Sequence, residues 1–266
     1  MGGVAHASPG MILVMVLLIG PILYSIRRVR DGKRPHVRRI PGVDAINEVV
    51  GGAVEQGRPI SFSTGLTSIG PVLYACLGVL THVARRAAVY KSKLLIPQRD
   101  PEVMAIVEEV ARDAYRAEHR LAHFDPSNVL YLSDAQFAFA AGYMGMVHRE
   151  NVGAAFLFGD FAAESLILAE AGQQVGAMQV AASVSPEQVP FFICACDYTL
   201  IGEELYAASA YLTPEAVQLG SLYGLDRGKL VFLVFILLGV CIATWNALNP
   251  SSAIPFNVDQ LLLKQW

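Results

Sequence analysis

The chain has 266 residues, of which 54% are hydrophobic and 16% charged, and a mean hydropathy of +0.44. It is too apolar for an average soluble protein and too polar for a many-span transporter, whereas two membrane helices around one domain of about 185 residues satisfy both bounds. The net charge of −3 hides a basic cluster, Arg27, Arg28, Arg30, Lys33, Arg34, Arg38 and Arg39 against Asp31, so the rest of the chain is strongly acidic. That balance argues against a nucleic-acid-binding face.

A short N-terminus, 1–10, precedes the first apolar run, 11–26 (MILVMVLLIGPILYSI). Its charges follow the apolar core instead of preceding it, so the run reads as an uncleaved anchor and not as a signal peptide. Pro21 should kink it, which membrane helices tolerate. The linker 27–41 is basic, and lysine and arginine near span ends stay cytoplasmic. The second apolar run, 230–248 (LVFLVFILLGVCIATWNAL), carries no charge and rises roughly 28 Å as a helix, enough for a hydrocarbon core. Arg227 and Lys229 precede it, and both runs therefore predict a cytoplasmic middle with the N-terminus and the tail 249–266 outside. The expected location is the inner membrane, crossed twice.

Between the runs, 42–225 reads as an α/β domain. Residues 42–57 place Val43, Ile46, Val49, Val50 and Val54 at helical spacing, an amphipathic helix loosened at Gly51–Gly52. Short apolar stretches then alternate with longer helical ones. Strands are expected at 60–64, 93–97, 129–133, 154–158, 176–184 and 190–196, with helices at 72–90, 101–119, 135–150, 162–173, 202–212 and 214–223. This pattern predicts a largely parallel open sheet with helices on both faces, flanked by two single transmembrane helices. The link 183–189 (SVSPEQV) is too short for a helix and suggests an antiparallel hairpin at the edge.

Ligands of open α/β sheets bind beyond the carboxyl ends of the strands. The residues there include Thr64, Gly65, Asp100, Asp160 and Asp197, a crescent of carboxylates and turn residues that could take a cation or a small molecule. Helix capping is the favoured reading of Asp100, Asp134, Asp160 and Asp197, Asp197 being the least simply a cap. The turn Gly65-Leu-Thr-Ser-Ile-Gly70-Pro could bind an anion at a helix start, but it lacks GxGxxG spacing and a P-loop lysine. Cys194 and Cys196 share a strand face without zinc partners, and the remaining Cys76 and Cys241 form no CxxC pair, usage that suits a reducing cytoplasm. No GxSxG, HExxH or Cys–His signature is present, so no catalytic residue, metal or cofactor is assigned. Glu164 and Glu170 sit in an otherwise apolar helix and each requires solvent or a partner.

The stretches 137–146, 162–173 and 204–212 are rich in small residues and apolar on more than one side, which predicts contacts between copies. The segments RRIPGVDAINEVVGGAVEQGRPI, LSDAQFAFAAGYMG and FFICACDYTLIGEELYAASAYL resemble a family of prokaryotic membrane-anchored proteins described only as a domain of unknown function. The resemblance runs from residue 38 to the second span and implies this two-span layout, without an activity. Two functions are expected from the residues, ahead of a third, a metal-assisted hydrolase at the same strand-end crescent. One is a self-assembling scaffold that organises a membrane complex, with lipid, copies of itself and other membrane proteins as partners. The other is a tethered sensing or binding domain for a small molecule or metal, with its site at the strand ends.

Overall fold

The structure, a computed structural model, describes residues 9–32, 41–212 and 216–248. It divides into a helical unit built from the two ends of the chain and an α/β unit spanning residues 37–214.

The α/β unit is a six-stranded sheet of order β3-β2-β1-β4-β5-β6, made of β1 (Ile60–Gly65), β2 (Leu94–Gln98), β3 (Val129–Tyr131), β4 (Ala154–Asp160), β5 (Met178–Ser183) and β6 (Tyr198–Ile201). Every pairing is parallel. Two-residue periodicity sorts the strand side chains. Ile60 and Phe62 of β1 and Ala154, Phe156 and Phe158 of β4 enter one core, whereas Ala155 and Leu157 enter the other. Because both faces are covered, β4 reads as an unbroken apolar run. Phe62 stacks on Phe158 at 5.8 Å between ring centroids and on Phe156 at 6.5 Å, and all three rings are fully buried.

The first face carries α2 (Pro41–Glu55), α3 (Pro71–Tyr90), α4 (Pro101–Ala117) and α8 (Glu204–Leu212), and the second carries α5 (Gln136–Glu150), α6 (Ser165–Gln174) and α7 (Val189–Ala195). α2 buries Val43, Ile46, Val49 and Val50 and runs unbroken through Gly51 and Gly52, where a loosened helix was expected. Its buried stripe holds it, and Gly52 faces Met178 of β5. The largest departure from expectation is at 190–196. The expected hairpin strand is the helix α7, with Pro190 in its first turn, and the last strand is β6, parallel to β5. The connection from β5 to β6 is therefore 184–197, long enough for α7 because the run expected as a strand is the crossover helix itself.

Arg58, in the turn between α2 and β1, ties the amino edge of the sheet together. Its guanidinium donates to Val152 O at 2.6 Å, Val175 O at 2.7 Å and Asn151 O at 2.9 Å, joining the entries to β1, β4 and β5.

The helical unit pairs α1 (Pro9–Arg30) with α9 (Ala216–Leu248), antiparallel. α9 is continuous over 33 residues, so from residue 216 on the expected separate helix at 214–223 is its first turns, its first two residues lying outside the described ones, and the sequence boundary at 225 falls within α9. Gly220, Gly224 and Gly228 line the contact. A Cβ on Gly220 would lie 2.4 Å from Ile26 Cα, one on Gly224 2.5 Å from Ile22 Cα, and one on Gly228 3.8 Å from Leu18 Cδ2. Small residues at four-residue spacing let the two backbones touch. By length and composition two described helices could cross a membrane, Pro71–Tyr90 and Val217–Leu248. The first is α3, whose apolar face is spent on the domain core, and the second has none of its most apolar window buried.

Candidate functional site at the carboxyl edge of the sheet

The strand order reverses between β1 and β4, and that switch point is where a parallel α/β sheet ordinarily opens a crevice. Of the five residues expected at the strand ends, the structure brings together Thr64, Gly65 and Asp160. Gly65 pairs with Asp160 after a register shift at the end of β1. Leu66 N–H donates to Asp160 O at 2.9 Å, and Asp160 N–H donates to Thr67 Oγ1 at 2.7 Å. The Thr67 hydroxyl in turn donates to Thr64 O at 2.5 Å. This closure depends on two glycines. Gly65 has φ +61°, and a Cβ there would sit 2.5 Å from the Phe161 ring. Gly159 has φ +154°, and a Cβ there would meet Thr64 O and Thr67 Oγ1 at 2.3 Å. The two strand ends are thus laced to each other instead of parting.

Asp100 lies one strand away and is used locally. Its carboxylate accepts from Glu102 N at 2.8 Å as the N-cap of α4, followed by Pro101. Asp197 does not join the crescent. It precedes β6 and does not follow a strand, so it lies at the amino edge, where it accepts from Gln179 N at 2.7 Å. The expectation failed because it rested on a strand at 190–196 that is a helix.

The structure supplies partners for residues that the sequence singled out, Thr64, Glu164 and Glu170, and adds Gln98, Gln136, Ser165 and Gln188, which it did not. Thr64 Oγ1 donates to Gln98 Oε1 at 2.6 Å at the end of β2, both buried. Glu164, fully buried, accepts from Gln136 Nε2 at 2.5 Å and from Ala162 N at 3.0 Å, which supplies the partner its apolar surroundings demand. Ser165 Oγ donates to Gln188 Oε1 at 2.7 Å. Glu170 stays exposed and accepts from Gln174. The bonds Thr64–Gln98, Gln136–Glu164 and Ser165–Gln188 link segments far apart in sequence, and no local motif announces them.

At the α3 end of the first loop, Gly70 provides no side-chain cap and Pro71 begins the helix. Burial, and then Cys76 and Asp160, raise the Tyr206 phenol above its ordinary value. Among the described residues no three histidine, cysteine, aspartate or glutamate side chains gather to hold a metal. The site therefore resembles a braced edge more than a cradle.

A family model described as a domain of unknown function, DUF6754, matches residues 5–254. The chain belongs to the DUF6754 family. Its match takes in both units, so the α1–α9 pair is as much part of this DUF6754 chain as the sheet is. Neither a curated protein nor a solved structure matches it.

Proposed function

We propose that this DUF6754 protein is a membrane-anchored, self-assembling scaffold. Its α/β domain lies in the cytoplasm, both termini lie outside, and α1 and α9 hold it at the inner membrane. The observation that carries this reading is the outer face of α5. Phe137 is 61% exposed, and Ala138, Ala141, Met144 and Gly145 continue an uncharged face to His148. α7, in the same helix layer, adds Phe191 and Ile193, the latter 54% exposed. An exposed apolar face of this kind signals an interface, since burying each large side chain is worth about 1.5–3 kcal/mol. The other small-residue helices lend less support. α8 spends Leu205, Ala208 and Ala210 within the domain, and α6 buries Leu168, Ala169 and Ala171.

The mass of the full chain in mild detergent tests the proposal. An oligomer that Phe137→Glu weakens is the expected result, and a monomer at every concentration would overturn it. The strand order favours a second reading, a small molecule bound at the β1/β4 switch point. A panel of nucleotides and divalent cations that leaves the melting temperature unmoved would remove it.

A further inference from the structure

A guanidinium group suits phosphate, because its planar fork offers two parallel N–H donors to two oxygens. Three such groups gather on the α1–α9 pair. Tyr24 lies in the last turn of the apolar run 11–26 and is 60% exposed. Arg27 and Arg28 follow it at the i+3 and i+4 positions, which share its face of α1, and both are exposed. α9 brings the third. The Arg227 guanidinium lies 5.8 Å from the centroid of the Tyr24 ring and 5.2 Å from that of Tyr223. Tyr223 is one turn earlier on α9, so the side chain leans back toward the end of the pair where Arg27 and Arg28 stand.

No carboxylate neutralises the cluster by contact. Among the described residues Arg27, Arg28 and Arg227 form no ion pair, whether with Asp31 one turn on or with Asp226, which Lys229 engages at 3.8 Å. Away from the cluster the same face of α1 turns apolar. Leu23, Gly20 and Val16 step back from Arg27 at helical spacing as one exposed stripe. A Cβ on Gly20 would meet nothing within 4 Å, so the stripe is open there.

An apolar stripe capped by basic groups and a tyrosine has the two-part chemistry of a phospholipid at the interface. We propose that Arg27, Arg28 and Arg227, gathered around Tyr24, hold the phosphate of an acidic phospholipid whose acyl chain lies along Leu23, Gly20 and Val16. This occupant rests on the anchored reading above and goes beyond it. Topology asks only for basic residues near a span end and does not ask for two helices to bring them together. Charge selects an acidic lipid over a zwitterionic one, whose ammonium would stand among three cations. The apolar stripe selects a lipid over a soluble phosphate.

Native mass spectrometry of the full chain, in mild detergent with equal amounts of phosphatidylglycerol and phosphatidylcholine, tests this. One phosphatidylglycerol retained per chain is expected, in preference to phosphatidylcholine. Arg227→Gln should weaken that retention about fivefold, whereas Arg39→Gln, which removes the same charge from the linker, should leave it unchanged. Arg28→Gln should match Arg227→Gln, and it repeats the test should the latter disturb the helix pair. Equal retention of the two lipids, or equal loss in the Arg227 and Arg39 variants, would overturn the proposal. Displacement of the lipid by inorganic phosphate would also overturn it, since the ligand would then be a soluble anion. A carbonate wash of native membranes separates the two levels. Release of the chain overturns the anchored reading together with this one, and a chain that stays but shows no preference for phosphatidylglycerol overturns only this one.

Discussion

Replacing Arg58 removes a cation that holds three chain segments at the amino edge of the sheet. Its two part-buried bonds, to Val152 O and Val175 O, are the ones water replaces least well. A hydrogen bond to a charged group contributes about 1.5–3 kcal/mol, so Arg58→Ala should cost about 3 kcal/mol from these two alone. The exposed bonds to Asn151 Oδ1, Gln56 and Gly176 should add little, because solvent takes their place. For a domain of 150–250 residues that loss lowers the melting temperature by roughly 6–12 °C. Arg58→Lys should recover less than half, since one ammonium cannot reach the acceptors that the guanidinium spans. Far-UV circular dichroism is the suitable readout, because both tryptophans, Trp245 and Trp266, lie C-terminal to the sheet domain. Full rescue by lysine, or a loss below about 1 kcal/mol in the alanine variant, would refute the assignment of these bonds as the brace.

Gly224→Leu should loosen the α1–α9 pair by about 1–3 kcal/mol, as for overpacked contacts, and lower the SDS fraction at which helicity is lost. Gly239→Leu, where an added Cβ meets nothing within 4 Å, should leave that transition in place, and equal behaviour of the two would contradict the close approach. In the folded domain a maleimide should modify the exposed Cys194 first. Cys196 should lag, its thiol pushed up to about 12 by burial and then by Asp197, as should Cys76, raised by burial. Mass spectrometry of the labelled sites checks that order. His82, beside Asn47 Oδ1, is lowered to about 4 by burial and then by Arg86 and Arg85. The native ring stays neutral while the unfolded one protonates near 6.5, so this contribution is complete above pH 6.5 and is lost as pH falls toward 4. His82→Gln should flatten the slope in that window, measured by denaturant titration at a series of pH values.

The α/β alternation was legible because the buried strands are short and apolar, as β4 shows, and the intervening stretches are long enough for helices, α4 with a clear polar face. The stretch PFFICAC was not. A short apolar run fits a strand or a buried helix equally, and Pro190 tips it toward a helix start. Asp197 went astray with it. Asp100 was readable as a cap from Asp-Pro-Glu alone. The bracing residues Arg58 and Gln98 were not recognisable, and Glu164 was recognisable as needing a partner but not which one, because the partners are brought near only by the fold; Arg58 and Val175 are 117 positions apart. The spacing Gly220-x-x-x-Gly224-x-x-x-Gly228 was a visible signal of a close helix contact, overshadowed by the more apolar run beyond it.

The α1–α9 contact also sets a schedule for biosynthesis. Ile26 leaves the ribosome long before Gly220, and at 5–20 residues per second the wait is roughly 10–40 s. During that interval α1 exists without the glycine-lined surface it finally packs on, while the whole parallel sheet is made and folds. Nascent chains on neighbouring ribosomes carry the same unpaired helix. The order of emergence thus creates a period in which α1 could pair with the wrong α9. Chains stalled before residue 216 are the species in which that exchange would be caught.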